Sequence, residues 1–252
     1  MLARLQNFRF DWKITLFTIL LLPVLVSLGF WQLQREQERL ELQSLYESRQ
    51  GAESVALSSL DLNADLQYMP VSFSGEFIND KNFLLDNKIY DGKVGFEVIT
   101  PFIAVSGERV LVNRGWIAAN QYRQNLPEVE PVHGQLTLNG AVYVPLGEQF
   151  MLGEEQEVEG WPKVIQSIDM DYIRTALTDS QDIFPYTVRL DPLSPGVFVR
   201  NWTLISTTPE RHRGYAIQWF SMACVLLLLY IFVSTRSVGS QKNKGETVSG
   251  QE

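Results

Sequence analysis

The sequence is poor in the residues that most often carry chemistry. It has 252 residues but one cysteine, Cys224, and two histidines, His133 and His212. A lone thiol excludes an intramolecular disulfide and any multi-thiolate metal or iron–sulfur centre. Two imidazoles cannot build a histidine-rich metal cage. Positive charge is also scarce: 21 Lys and Arg stand against 29 Asp and Glu, for a net charge of −8. Nucleic-acid binding relies on a clustered cationic face that releases counterions, so no nucleic-acid partner is expected. There is no Gly-x-Ser-x-Gly elbow, no phosphate-binding Gly-x-x-x-x-Gly-Lys-Ser/Thr loop and no His-Glu-x-x-His zinc pair. A composition of 45% hydrophobic and 20% charged residues argues against a disordered or collagen-like chain.

The apolar residues are unevenly spread. Residues 14–31 and 214–235 carry no charge. At a rise of 1.5 Å per residue they extend about 27–33 Å, which matches a hydrocarbon core of about 30 Å. Backbone crossing lipid must satisfy its own N–H groups, so both stretches are expected to be helical, with a kink at Pro23. Placed at opposite ends of a polar chain, they read as membrane spans rather than core helices. The first also resembles a signal peptide, with Arg4, Arg9 and Lys13 in front and Ser27-Leu28-Gly29 as a small-x-small site. Its apolar run is longer than a signal core and ends in Phe30 and Trp31, which suit the bilayer interface. An uncleaved anchor is the expectation.

The charges set an orientation. The region 35–213 has a balance of −11, whereas basic residues flank both spans on their outer ends. Positive flanks stay in the cytoplasm. The expected layout is a cytoplasmic N-terminus (1–13), a span (14–34), a periplasmic domain (35–213), a second span (214–235) and a disordered cytoplasmic tail (236–252). The short leader lacks the Arg- and Ser-rich character of an organelle import signal, so the expected address is a bacterial inner membrane.

Between the spans the first helix continues to about Gly51, and then the period changes. Val71, Phe73, Gly75 and Phe77 alternate with Ser72, Ser74 and Glu76, as a half-buried strand requires. Further strands are predicted over 82–90, 94–105, 108–116, 134–144, 163–168 and 186–190. Asp91-Gly92 and Ser106-Gly107 are hairpin signals. A short helix is predicted over 169–177, capped by Asp169. Glu154, Glu155, Glu157 and Glu159 sit between two glycines and read as a solvated loop. The fold class expected is a membrane protein whose two terminal transmembrane helices flank one antiparallel β-rich α+β domain.

The residues with most chemical promise lie at the two membrane borders. One border is Leu28-Gly29-Phe30-Trp31-Gln32-Leu33-Gln34-Arg35. The other is Arg211-His212-Arg213-Gly214-Tyr215-Ala216-Ile217-Gln218-Trp219. On a helix His212, Tyr215 and Trp219 share a face, and Gln32 and Arg35 are one turn apart. Interfacial anchoring accounts for Trp31, Tyr215 and Trp219, and close helix packing for Gly29. A neutral imidazole at such a border is also a haem-iron ligand, and Arg35, Arg211 or Arg213 suit haem propionates. His133 lies in a Pro-rich turn and would serve a hydrolase only with distant partners. The pair Asp169 and Asp171 reads as helix capping.

These borders, together with Gly75-Glu76-Phe77, Gly95 to Pro101-Phe102, Asn113-Arg114-Gly115-Trp116, Trp161-Pro162 and Arg200-Asn201-Trp202, carry a resemblance. In this order, between two terminal spans, they resemble the surfeit locus protein one family of cytochrome oxidase assembly factors. One departure is Arg211, where many members carry asparagine. The resemblance implies a non-catalytic chaperone that assists maturation of haem–copper cytochrome c oxidase as haem a enters the catalytic subunit. It implies His212 as the residue contacting haem. The partners it implies are that catalytic subunit and haem a synthase, beside the lipid bilayer. Arg114 either binds a partner's carboxylate or stabilises its own domain, and Gly115 and Trp116 read as structural. The alternatives are a membrane-anchored scaffold that carries no haem and, more remotely, a periplasmic hydrolase using His133.

Overall fold

Asp11 starts the first helix. Its carboxylate accepts from the backbone N–H of Lys13 at 3.0 Å, and its carbonyl from that of Thr15 at 2.9 Å. Helix α1 then runs over Trp12–Gln50 without interruption at Pro23. The computed structural model describes residues 11–120, 125–145, 160–177, 182–202 and 208–236. The acidic stretch 154–159 and the C-terminal tail lie outside the described residues.

Seven further elements form the first part of the β-rich region: β1 (Val55–Ala56), a 3-10 turn (Leu57–Ser59), β2 (Pro70–Phe77), β3 (Phe83–Tyr90), β4 (Lys93–Ala104), β5 (Arg109–Ala118) and β6 (Leu136–Tyr143). Then come β7 (Lys163–Ile165), α2 (Met170–Leu177), β8 (Ile183–Leu190) and the terminal helix α3 (Pro209–Arg236). Two units result: one is α1 as far as Ser44 together with α3, and the other covers Leu45–Leu204.

In the second unit the strands follow the order β1-β2-β6-β8-β5-β4-β3-β7, and β2 also pairs with β4. That extra pairing, Gly75 to Phe77 against Phe102 to Ala104, closes β2, β6, β8, β5 and β4 into a barrel. Closure leaves these strands no free edge. The inward positions are apolar: Val71 and Phe73, Phe102, Val112, Leu138 and Val188 belong to one buried cluster. Phe102 packs edge-to-face on Phe73 and Phe77, with centroids 5.3 and 5.0 Å apart. A second cluster lies under α2, where Ile173 and Leu177 cover Phe83, Ile99 and Leu111. Asp169 caps that helix, accepting from the N–H of Asp171 at 2.8 Å.

Two differences from the sequence expectation are informative. The sheet is mixed rather than antiparallel: β1 pairs β2, β3 pairs β7 and β5 pairs β8 in parallel. Side-chain alternation has period two in either direction, so the pattern cannot distinguish them. Strand β8 also begins at Ile183 rather than 186. Pro185 falls where the β5–β8 register shifts, so its missing N–H interrupts no regular ladder. The Asp91-Gly92 turn has φ of 48° and 70°, the double left-handed geometry of a two-residue hairpin, with Tyr90 opposite Lys93.

In the helical unit, α1 and α3 run antiparallel. Thr15, Thr18, Leu25, Gly29 and Glu36 are the buried positions of α1, with Leu22 and Gln32 half-buried among them. The steps alternate between three and four residues, which keeps one seam facing a partner helix. On α3 the matching seam is His212, Ala216, Trp219, Ala223 and Tyr230. The Thr15 and Tyr230 hydroxyls share a hydrogen bond of 3.1 Å. Both helices are long and apolar enough to cross a membrane, with most of their apolar surface facing outward.

Candidate functional site

The seam becomes polar where α3 begins. Pro209 at the first helical position has no N–H to leave unsatisfied, and one turn on comes His212. Its Nδ1 lies 2.8 Å from Gln32 Oε1. With that oxygen accepting, Nδ1–H donates and the neutral ring keeps its lone pair at Nε2. Nε2 is closed from solvent and has no hydrogen-bond partner among the described residues. Beside it, Arg213 Nε donates to Glu36 Oε1 at 2.7 Å. Glu36 is 7% exposed, whereas the Arg213 side chain is 65% exposed. A buried carboxylate is thus held by a cation that reaches in from the surface.

Gly29 makes this approach possible. A Cβ there would lie 2.6 Å from the Phe220 ring. Phe220 also meets Phe30 edge-to-face, with centroids 5.3 Å apart. The structure therefore brings Gly29, Gln32, His212 and Arg213 together. It does not add the other residues of the two borders. Arg35 bonds Glu38 on its own helix at 2.7 Å and lies over Trp31, 5.8 Å from the ring centroid. Trp31, Arg211 and Tyr215 are exposed, and Trp219 is half-buried in the seam. Sequence reading missed Glu36 and Phe220. The heptad spacing from Thr15 to Glu36 was the available signal.

The Asn113-Arg114-Gly115-Trp116 element lies elsewhere, on β5. Opposite β4 the register passes from Val98–Gly115 to Ile99–Asn113, so Arg114 is the extra residue of a β-bulge. Gly115 has φ of 109°, and a Cβ on it would lie 2.6 Å from the Val199 carbonyl oxygen. Both facts require glycine. The bulge turns Arg114 inward, where it is 1% exposed. Its Nε donates to Gly196 O at 2.8 Å and one terminal nitrogen to Glu130 O at 2.9 Å. The guanidinium lies 4.5 Å from the Phe198 ring centroid and 5.2 Å from that of Phe77. Burial lowers its pKa to about 10, opposed by the charge of Glu130. Asn113 donates to the buried Glu97 at 2.7 Å and accepts from Gly115 N at 3.0 Å, while Trp116 Nε1 donates to Lys88 O at 3.1 Å. These bonds all stay within the element's own unit.

His133 is exposed in the segment before β6. No group of three or more His, Cys, Asp or Glu side chains among the described residues is placed to hold a metal ion. For haem, the donor that this border offers is one imidazole, His212. The Gln32 bond fixes its tautomer and leaves an imine nitrogen free of protein partners, which fits an axial ligand. The closure of that nitrogen means a metal reaches it only after neighbouring side chains shift.

Similarity to known proteins covers both units. The model of the SURF1 family matches residues 19–224. The SURF1-like protein of Monosiga brevicollis is 28% identical over 229 residues, covering 85% of each chain. The SURF1-like protein of Rickettsia bellii is 32% identical over 249 residues, covering 91% of this chain and 93% of that one. The cytochrome oxidase assembly protein SHY1 of Saccharomyces cerevisiae is 28% identical over 134 residues, 48% of this chain and 34% of that one. With two apolar helices around a β-rich unit and a family match running from inside α1 into α3, the chain belongs to the SURF1 family.

Proposed function

We propose that this protein is a non-catalytic, membrane-held assembly factor for haem–copper cytochrome c oxidase, acting as haem a enters the catalytic subunit. Family membership and the relative named as a cytochrome oxidase assembly protein support the oxidase assignment. The haem part rests on one observation: His212 Nδ1 is occupied by Gln32 while Nε2 has no partner. In this reading α1 and α3 span a bacterial inner membrane, both termini are cytoplasmic and the β-rich unit is periplasmic. The oxidase catalytic subunit and haem a synthase are the partners.

Haem a is cargo here. His212 offers one neutral nitrogen, and a single ligand suits transient holding better than two, because one bond must break for release. Gln32 orients the imidazole and keeps the proton on the far nitrogen. Arg213, anchored by Glu36 and largely exposed, is suited to meet a propionate. The second reading is a scaffold that binds oxidase subunits without haem, and the closure of Nε2 favours it.

Titration of the purified full-length protein with haem a separates the two. The carrier reading predicts a Soret band that shifts on binding, and weaker binding with an altered spectrum in His212→Ala. Identical spectra and affinities for wild type and His212→Ala contradict the ligand assignment. Co-purification with oxidase that persists under haem a depletion favours the scaffold.

A further inference from the structure

The Arg200-Asn201-Trp202 element plays no part in that reading, yet it borders the cavity of about 710 Å³ in the β-rich unit. That size suits a small organic ligand. The floor is the outward face of two barrel strands, with Asn139 and Ala141 on β6 and Arg189 on β8, while their neighbours Leu138, Val142 and Val188 fill the barrel. The last residues of α1, Tyr46 and Arg49 among them, form one wall, and Arg200 and Trp202 another.

The chemistry of this cavity is opposite to that of the chain as a whole. Three arginines line it against one acid, Asp191, among the described residues. Arg49 is engaged: it pairs with Asp65 at 3.7 Å and donates to the carbonyls of Asp65 and Gln67. The other two carry no carboxylate partner within ion-pair distance among the described residues. Instead they stack. The Arg189 guanidinium lies 3.5 Å from the Tyr143 ring centroid and 5.6 Å from that of Trp202, and Arg200 lies 4.9 Å from Trp202 on the same indole. Two N–H groups here, Arg189 Nε and Trp202 Nε1, are closed from solvent with no acceptor among the described residues. Unmet buried donors beside unpaired cations are the complement of an acceptor-rich anion. Burial lowers the pKa of Arg189, partly offset by the neighbouring Tyr143 hydroxyl and the Glu97 carboxylate, so an anion placed there would relieve a desolvated cation.

We propose that this cavity binds a small molecule with an oxyanion head group, a phosphate or carboxylate. Arg200 and Arg189 are its cationic contacts, Trp202 Nε1 becomes a donor once neighbouring side chains shift to uncover it, and Tyr46, Tyr68 and Leu193 lie along its body. A phospholipid head group and a soluble phosphate ester or carboxylate share this chemistry. Calorimetric titration of the full-length protein in uncharged detergent distinguishes them. The probes are glycerol 3-phosphate, succinate and dihexanoyl phosphatidylglycerol below its micelle concentration, with dihexanoyl phosphatidylcholine as the zwitterionic control. At least one anionic probe should bind wild type, more weakly as salt is raised. Arg200→Gln should weaken that binding about tenfold or more, a change of about 1.4 kcal/mol. Arg200 is exposed and stacks on the Trp202 indole, so this variant should keep the wild-type unfolding temperature. Binding of glycerol 3-phosphate or succinate identifies a soluble ligand, and binding of phosphatidylglycerol alone identifies a lipid head group. Failure of every anionic probe, equal binding by wild type and Arg200→Gln, or equal binding of the choline lipid would overturn the proposal. Haem titration and its His212→Ala control are unaffected by any of these outcomes.

Discussion

Gly29 and Arg114 show how one side chain, or its absence, fixes each unit. At Gly29 the Phe220 ring occupies the place a Cβ would take. Gly29→Leu is expected to force the helices apart at an overpacking cost of about 1–3 kcal/mol, read as a lowered unfolding temperature in detergent. Adding Phe220→Ala should recover part of the loss, and an unchanged temperature in Gly29→Leu would contradict the contact. At Arg114 the planar guanidinium serves two carbonyls at once between two rings. Arg114→Met should cost about 2–4 kcal/mol, because the carbonyls of Gly196 and Glu130 lose buried donors. Arg114→Lys should restore little, since an ammonium lacks the fork geometry. Urea unfolding of the three proteins checks the order. Of these two residues, only the glycine was legible beforehand. Small residues in apolar helices suggest close approach, whereas an arginine on a strand end gives no sign of which way a bulge will turn it.

Among the elements, strands and hairpins were readable because half-buried strands alternate and Asp-Gly turns tolerate positive φ. Strand β1 was not: its two residues are both exposed, so it has no pattern to detect. Barrel closure was equally hidden, because the β2–β4 pairing joins distant segments through backbone bonds that any sequence can make. The seam between α1 and α3 was present in the spacing from Thr15 to Glu36, but the charged turns of α1 from Arg35 onward masked it. Its polar end yields a coupling prediction. Removing Arg213 leaves Glu36 as a buried, unpaired carboxylate, so Arg213→Gln should lower the unfolding temperature more than Glu36→Gln does. The double variant should lose less than the two single losses combined. Strict additivity would show that the two residues do not interact.

For the whole molecule, charge and hydropathy suggest an acidic β-rich unit outside the cytoplasm between two spans. The fold supplies the helices and the unit. Protease added to sealed, right-side-out spheroplasts should cleave within the β-rich unit, and protection until lysis would contradict the proposed topology. The proposal that this SURF1 family member serves oxidase assembly has a still more direct test in the cell. Deletion of the gene, followed by optical difference spectra of the membranes, should remove or strongly reduce the a-type haem signal while b- and c-type signals stay normal. Membranes that keep a full a-type spectrum and full oxidase activity after deletion would contradict the account.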